Sequence, residues 1–317
     1  MATEIFVISG FLGAGKTTFI QKLLKEAFEG EKVVLIENDF GEINVDAALL
    51  KSGSVEVKEI NAGCICCSLS GDFVKALRDL LRRFHPDKII IEPSGVGKLS
   101  DIVKACADPR VHPLAEVKAK ITVVDVKRCK MYLDNFGEFF EDQIQNADIV
   151  LLSRTEDDPD KASDAEKLIR GLNPHTAIVA KPWSRIAAAD ILYPDHEHGN
   201  HCGHTHGCSC GHHHGHDDQC GCGLGHAAED VFDTVTIRTK RIFSAEDLRT
   251  RIADMERSAK GTILRAKGIV RGPSGYMNLQ YLPGDIQITK CAASGDMLCI
   301  IGRNLNQQEL CTLFRGE

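Results

Sequence analysis

The sequence predicts a doubly wound, mostly parallel α/β domain followed by a smaller α+β domain. Three observations carry this. Short runs that are apolar on consecutive residues recur through the first half, as in a parallel sheet buried on both faces. Amphipathic helical patterns lie between them, the alternation that builds such a sheet. A stretch rich in histidine, cysteine and glycine then interrupts the chain, after which alternating strand patterns begin.

In order, residues 4–9 form the first strand and run into a glycine loop. Residues 17–28 follow as a helix with Phe19, Leu23, Leu24 and Phe28 on one face. Val33–Ile36 is a strand, Val74–Phe84 an amphipathic helix ended by Pro86, and Lys88–Ile91, Ile121–Asp125 and Ile149–Ser153 are further strands. A helix near Ala162–Leu172 and a strand near Ala177–Ala180 close a first domain, 1–190. A linker spans 191–229 and a second domain 230–317. In that domain Val231–Thr239 alternates apolar and polar, and Ser244-Ala-Glu-Asp247 has capping-box-like spacing. Ile263–Val270, Tyr276–Leu282, Asp285–Thr289 and Met297–Ile301 read as strands and Gln307–Phe314 as a last helix, giving a sheet with helices on one face.

Bulk properties exclude several classes. The 317 residues fit two domains, and 43% hydrophobic content supports a core. A net charge of -7 argues against a nucleic-acid or anionic-membrane partner. No run approaches the roughly 20 apolar residues of a membrane span. The opening residues read as a strand, not a signal peptide, so a cytoplasmic protein is expected. Thirteen cysteines without an export signal do not suggest a disulfide framework. Cys106, Cys129, Cys291, Cys299 and Cys311 are scattered among apolar neighbours and read as core.

Gly10-Phe-Leu-Gly13-Ala14-Gly15-Lys16-Thr17-Thr18 matches the Walker A pattern. Its glycines let backbone N–H groups curl around phosphate oxygens, and the helix N-terminus adds its dipole. Lys16 would reach the β- and γ-phosphates and Thr17 would ligate Mg²⁺. Glu92, ending a buried strand in Glu92-Pro-Ser-Gly95, stands where a Walker B acid belongs, and Gly95 can offer its N–H to the γ-phosphate. The first domain is therefore expected to be a P-loop NTPase. Asp39 and Glu42 are candidates for the catalytic work around the attacking water; Asp125 reads equally as a group behind Mg²⁺ or as structural.

Cys64-Ile-Cys66-Cys67 offers up to three thiolates, ligands that select zinc and other soft or borderline ions. The spacing strains simultaneous binding in a helix or strand, so other ligands are needed. Glu37 and Glu42, after the second strand, are candidates to complete a site with Cys66 and Cys67. Redox chemistry is the second reading of these thiols. The linker interleaves His201, Cys202, His204, His206, Cys208, Cys210, His212, His213, His214, His216, Cys220 and Cys222 with glycine. Such a composition reads as disordered without metal, with several interchangeable sites for metal capture.

The run GFLGAGKTT, then ENDFGEINVD (37–46), GCICCS (63–68) and EPSG (92–95) resembles the CobW-type P-loop GTPases, relatives of the HypB and UreG metallocentre-assembly proteins. Gly261-Thr-Ile-Leu-Arg-Ala-Lys-Gly-Ile-Val270 resembles the start of that family's C-terminal domain. The resemblance implies GTP hydrolysis coupled to metal delivery, commonly of zinc, with some members linked to cobalt enzymes; the imidazole-rich tract leaves nickel and cobalt open as well. One motif departs. Where the family carries Asn/Ser-Lys-x-Asp for guanine, this chain reads Ser153-Arg154-Thr155-Glu156. Glu156 can accept the guanine N–H bonds from a displaced position, Arg154 can lie along the base as lysine's stem would, and Asp157 can substitute by a register shift.

The leading expectation is a GTPase metallochaperone with Mg²⁺ and Zn²⁺ (Co²⁺ or Ni²⁺ open), serving a client apo-metalloprotein. A nucleotide-dependent homodimer is compatible with the sequence. The alternatives are a metal buffer or sensor with a structural nucleotide, and a P-loop kinase. Deleting 196–226 should lower the zinc recovered per chain from metal-replete cells, measured by elemental analysis of untagged protein; unchanged content would remove the capture role.

Overall fold

The structure, a computed structural model, describes residues 2–37, 56–59, 72–192 and 228–315. The consecutively apolar runs do form one parallel sheet. Its strands are β1 (Thr3–Gly10), β2 (Val33–Glu37), β3 (Glu56–Glu59), β4 (Lys88–Glu92), β5 (Ala115–Asp125), β6 (Ile149–Ser153) and β7 (Ala177–Val179). They lie in the order β3-β2-β4-β1-β5-β6-β7. Side chains alternate across it: Ile5 and Val7 enter one core, Phe6 and Ile8 the other.

Helices α1 (Lys16–Glu26) and α6 (Ala188–Leu192) cover the face of Phe6, through Phe19, Ile20, Leu23 and Ile191. The other face is covered by α2 (Asp72–Phe84), α3 (Leu99–Cys106), α4 (Cys129–Gln145) and α5 (Pro159–Leu172). Two of these, α3 and α4, have no counterpart in the sequence reading. The first has eight residues, too few to establish a period. The second carries non-helical angles at Phe136 (φ -138°, ψ 32°), yet its buried residues Cys129, Tyr132, Phe136, Phe139, Phe140 and Ile144 keep helical spacing through the kink, so its period was available in the sequence. Helix α5 begins before the expected Ala162, because the Asp158 side chain accepts from Lys161 N at 3.1 Å and Pro159 preorganises the first turn.

The second sheet is antiparallel. It holds β8 (Asp233–Arg238), β9 (Thr262–Gly272), β10 (Gly275–Leu282), β11 (Asp285–Cys291) and β12 (Met297–Arg303), in the order β11-β10-β9-β12-β8. A short helix, α7 (Ala228–Val231), precedes it; α8 (Ala245–Ser258) and α9 (Gln307–Arg315) pack on one face through Leu248, Ile252, Met255, Leu310 and Phe314. The cap expected at Ser244 is present, its hydroxyl accepting from Asp247 N at 3.0 Å. The opposite face meets the first domain: Cys299 and Ile301 join the core that contains Phe11 and Leu12. Phe232 packs its ring 5.1 Å from Phe139 and 5.5 Å from Phe136.

Cys106, Cys129 and Cys299 are buried, as expected of core cysteines, whereas Cys291 and Cys311 are half-buried. Burial pushes the Cys106 and Cys129 thiols up to about 12, far from the thiolate form that binds metal. No helix among the described residues is long and apolar enough to cross a membrane.

Candidate functional site

Parallel strands deliver their carboxyl ends to one edge, and the candidate groups end up there. Gly10 closes β1, Glu37 closes β2, Glu92 closes β4, Asp125 closes β5 and Ser153 closes β6. The loop after β1 can turn only because its glycines adopt left-handed angles, φ 139° at Gly10, 69° at Gly13 and 108° at Gly15. At Gly10 a side chain has no room either: a Cβ would sit 2.3 Å from Val123 O. Gly15 caps α1 without any side-chain hydrogen bond, so the first helical N–H groups face the loop cavity.

Lys16 is buried. Its ammonium donates to Gly10 O at 3.0 Å and stands 3.9 Å from Glu92 Oε1. Thr17, Thr18 and Glu92 line the same cavity, of about 340 Å³. Gly95 approaches the loop so closely that a Cβ would lie 2.9 Å from Leu12 N. Glu37, also buried, is the register partner of Glu92 on the neighbouring strand. Two carboxylates thus end neighbouring strands in register, Glu37 buried and Glu92 reaching the cavity. Lys16 supplies one cation, and Lys267 of β9 a second, near enough for Glu37 to act on its charge. Burial pushes the Lys267 ammonium down to about 8, with Cys299 and Glu37 opposing and Lys16 reinforcing that shift.

A second cavity, about 320 Å³, adjoins the first. Ala14, Gly15 and Thr18 form its floor, Ser153, Arg154, Glu156 and Asp157 one side, and Trp183 another. Ser153 ties the two loops together by donating its hydroxyl to Ala14 O at 2.7 Å. Arg154, at φ 60°, turns its guanidinium onto Asp125 and to Gly13 O at 3.3 Å. Asp125 also holds Arg128 at 2.6 Å. Asp125 thus anchors two arginines. Glu156 Oε1 accepts from the Ser184 hydroxyl at 3.2 Å, whereas the Asp157 carboxylate is paired with Lys127 at 2.7 Å. The Lys127 ammonium holds that carboxyl below its usual range.

Several residues escaped the sequence reading. Trp183 donates its indole N–H to Leu152 O at 2.7 Å and covers Gly15, where a Cβ would be 3.2 Å from its ring. The single tryptophan of the chain, after Pro182 at the edge of the sheet, was the signal available for it. Gln143, fully buried in α4, donates to Gly95 O at 3.2 Å and Gly97 O at 2.8 Å and so holds the segment after β4. Nothing in its local sequence marks it. Asp39, Glu42, Cys64, Cys66, Cys67 and the His201–Cys222 ligands lie outside the described residues. Among the described residues no group of three or more His, Cys, Asp or Glu converges as a metal site.

Residues 4–180 match the family described as CobW/HypB/UreG, nucleotide-binding domain, and residues 232–316 the cobalamin synthesis protein cobW C-terminal domain. The chain belongs to the CobW/HypB/UreG family. Among the relatives of this CobW-type chain, the zinc chaperone YeiR of Escherichia coli is 34% identical over 49% of this chain and 47% of its own. The zinc chaperone CobW of a Sinorhizobium species is 36% identical over 47% of this chain and 50% of its own. The chain thus spans about half the length of these curated relatives. The Zn(II)-bound YjiA GTPase of E. coli aligns over 99% of this chain and 98% of its own, with 15% identity and a TM-score of 0.41.

Gln143→Leu should destabilise the protein by about 2 kcal/mol, because two buried carbonyls lose their donor. Urea unfolding checks this; an unchanged midpoint would mean that Gln143 does not hold the segment.

Proposed function

We propose that this chain is a GTP-hydrolysing metallochaperone that delivers zinc to a client apo-metalloprotein, its metal affinity set by the nucleotide. The observation that carries the reading is the register pairing of Glu37 with Glu92. Glu92 belongs to the phosphate side and Glu37 to the metal side, so any change in charge at one is felt at the other across a single strand spacing. The family membership and the zinc chaperone names of the relatives support zinc as cargo. Cys64, Cys66 and Cys67 are the thiolates proposed to hold it with Glu37, Glu42 being the other carboxylate candidate. The histidine tract is proposed to feed that site.

The donors at the loop suit Mg²⁺, a hard cation that takes oxygen ligands: the cavity presents a threonine hydroxyl and a carboxylate. Thr17 and Glu92 would hold it, the latter through water. When bound, it neutralises charge on the β- and γ-phosphate oxygens. Lys16 and the loop N–H groups then stabilise the charge developing on the transferred phosphoryl group, and Gly95 N–H is proposed to contact it. Asp39 is the acid proposed to orient the attacking water.

For the base, the second cavity offers carboxylates to the guanine N–H edge. Glu156 is the better acceptor, because its described partner is a neutral hydroxyl, whereas Asp157 is tied to a lysine. Arg154 is held by Asp125 and Gly13 O and forms the wall between base and phosphates. Glu156→Ala should weaken GDP binding about 10-fold or more and leave ADP binding unchanged, whereas Asp157→Ala should change GDP affinity only slightly. Calorimetric titration reads this, and the reverse pattern would move the role to Asp157.

Zinc affinity should differ by about 10-fold or more between the GDP state and a non-hydrolysable GTP analogue state, because only differential affinity can move the equilibrium. Competition against a chromophoric chelator measures it. Equal affinities would overturn the coupling and favour a metal buffer with a structural nucleotide.

A further inference from the structure

The second domain presents a polar sheet face to the nucleotide site. Alternation along β9 sets Arg265 and Lys267 on one side, opposite Ile301 and Cys299 of β12. Cys299 and Ile301 belong to the first domain's core, so this side of the sheet is turned inward. Gln280 of β10 is the register partner of Lys267, and Gln287 of β11 that of Gln280. A row of polar side chains thus continues the same face in a place where a simple domain contact would be apolar.

The cavity above the phosphate loop is walled from both domains. Lys16, Thr17 and Glu92 line one side, Arg265 and Gln280 the other. The β10–β11 hairpin fixes this arrangement at its tip. Leu282 packs so closely over Gly13 that a Cβ on that glycine would stand 2.3 Å from it. Arg128, anchored on Asp125, also donates to Pro283 O at 3.3 Å. Arg265 donates to Gln280 Oε1 at 3.3 Å, which aims its fork. Its charge reaches Tyr132, whose hydroxyl donates to Leu12 O at 3.1 Å in the loop itself.

Three cationic side chains line this cavity, Lys16, Arg154 and Arg265. Lys16 is bound to the loop and Arg154 to Asp125. Arg265 is the one that the second domain contributes, and a guanidinium fork matches phosphate oxygens.

We propose that Arg265 contacts the terminal phosphate of the bound triphosphate and acts as a catalytic residue supplied in cis by the C-terminal domain. This rests on the nucleotide-hydrolysis reading above. In the step, the water oxygen bonds to the γ-phosphorus while the bond from that phosphorus to the β–γ bridging oxygen breaks. GDP leaves with that electron pair, and the water proton passes to the phosphate. Charge grows on the bridging and equatorial oxygens, where a guanidinium acts most strongly. The same contact would make docking of the second domain sensitive to whether the γ-phosphate is present.

The test compares the full chain with Arg265→Ala, Arg265→Gln and Arg265→Lys in single-turnover GTP hydrolysis with Mg²⁺. GDP affinity, with and without fluoroaluminate, is measured in parallel. The expected result is a fall in hydrolysis of about 100-fold or more for Ala and Gln. Lys should restore part of it, GDP affinity should stay within about 2-fold, and fluoroaluminate should no longer tighten GDP binding to the Ala variant. Variants that hydrolyse GTP as fast as the parent chain would overturn the assignment while leaving the hydrolysis reading intact. Loss of GDP affinity in proportion to the rate would also overturn it, placing Arg265 in general binding or in folding. A parent chain that binds GTP and hydrolyses none would overturn both.

Discussion

Two carboxylates, the buried Glu37 and the half-buried Glu92, standing in register at the ends of adjacent strands are the constraint on which the rest of this structure depends. Glu37 and Glu92 are set side by side by the parallel pairing of β2 and β4. Burying like charges together is costly unless cations answer them. Lys16 answers from the phosphate loop and Lys267 from the second domain. The acid pair therefore links the nucleotide loop and the C-terminal sheet to a single electrostatic centre.

The geometry also explains how a small nucleotide domain gains a second wall. Leu282 and Pro283 seat the hairpin on the phosphate loop, and Phe232 and Ile301 extend the first domain's core into the second. The contact is apolar where it carries packing and polar where it faces the phosphate cavity.

Much of the fold was legible because its signals are local. Consecutive apolar residues mark strands buried on both faces, and Ser244 with Asp247 marks a helix start. The Walker loop was legible for the same reason, since glycine, lysine and threonine at fixed spacing leave little else to build. The kinked helix α4 carried the same kind of local signal, since Cys129, Tyr132, Phe136, Phe139, Phe140 and Ile144 recur at helical spacing, although the sequence reading assigned no helix there. Gln143 was not legible, because a glutamine in a helix carries no sign of the two carbonyls it will meet.

By itself the sequence determined the strand ends, the phosphate loop and the residue types able to take phosphate and soft metal, because each follows from near neighbours in the chain. Only the tertiary structure decided who stands beside whom. It paired Glu37 with Glu92, turned Asp125 into the anchor of Arg128 and Arg154, set Trp183 over Gly15, and brought Arg265 and Lys267 to a site that begins some 250 residues earlier. Those relations depend on strand order and on the docking of one sheet against another. Both arise from burying apolar surface across the whole chain, and no window of sequence contains them.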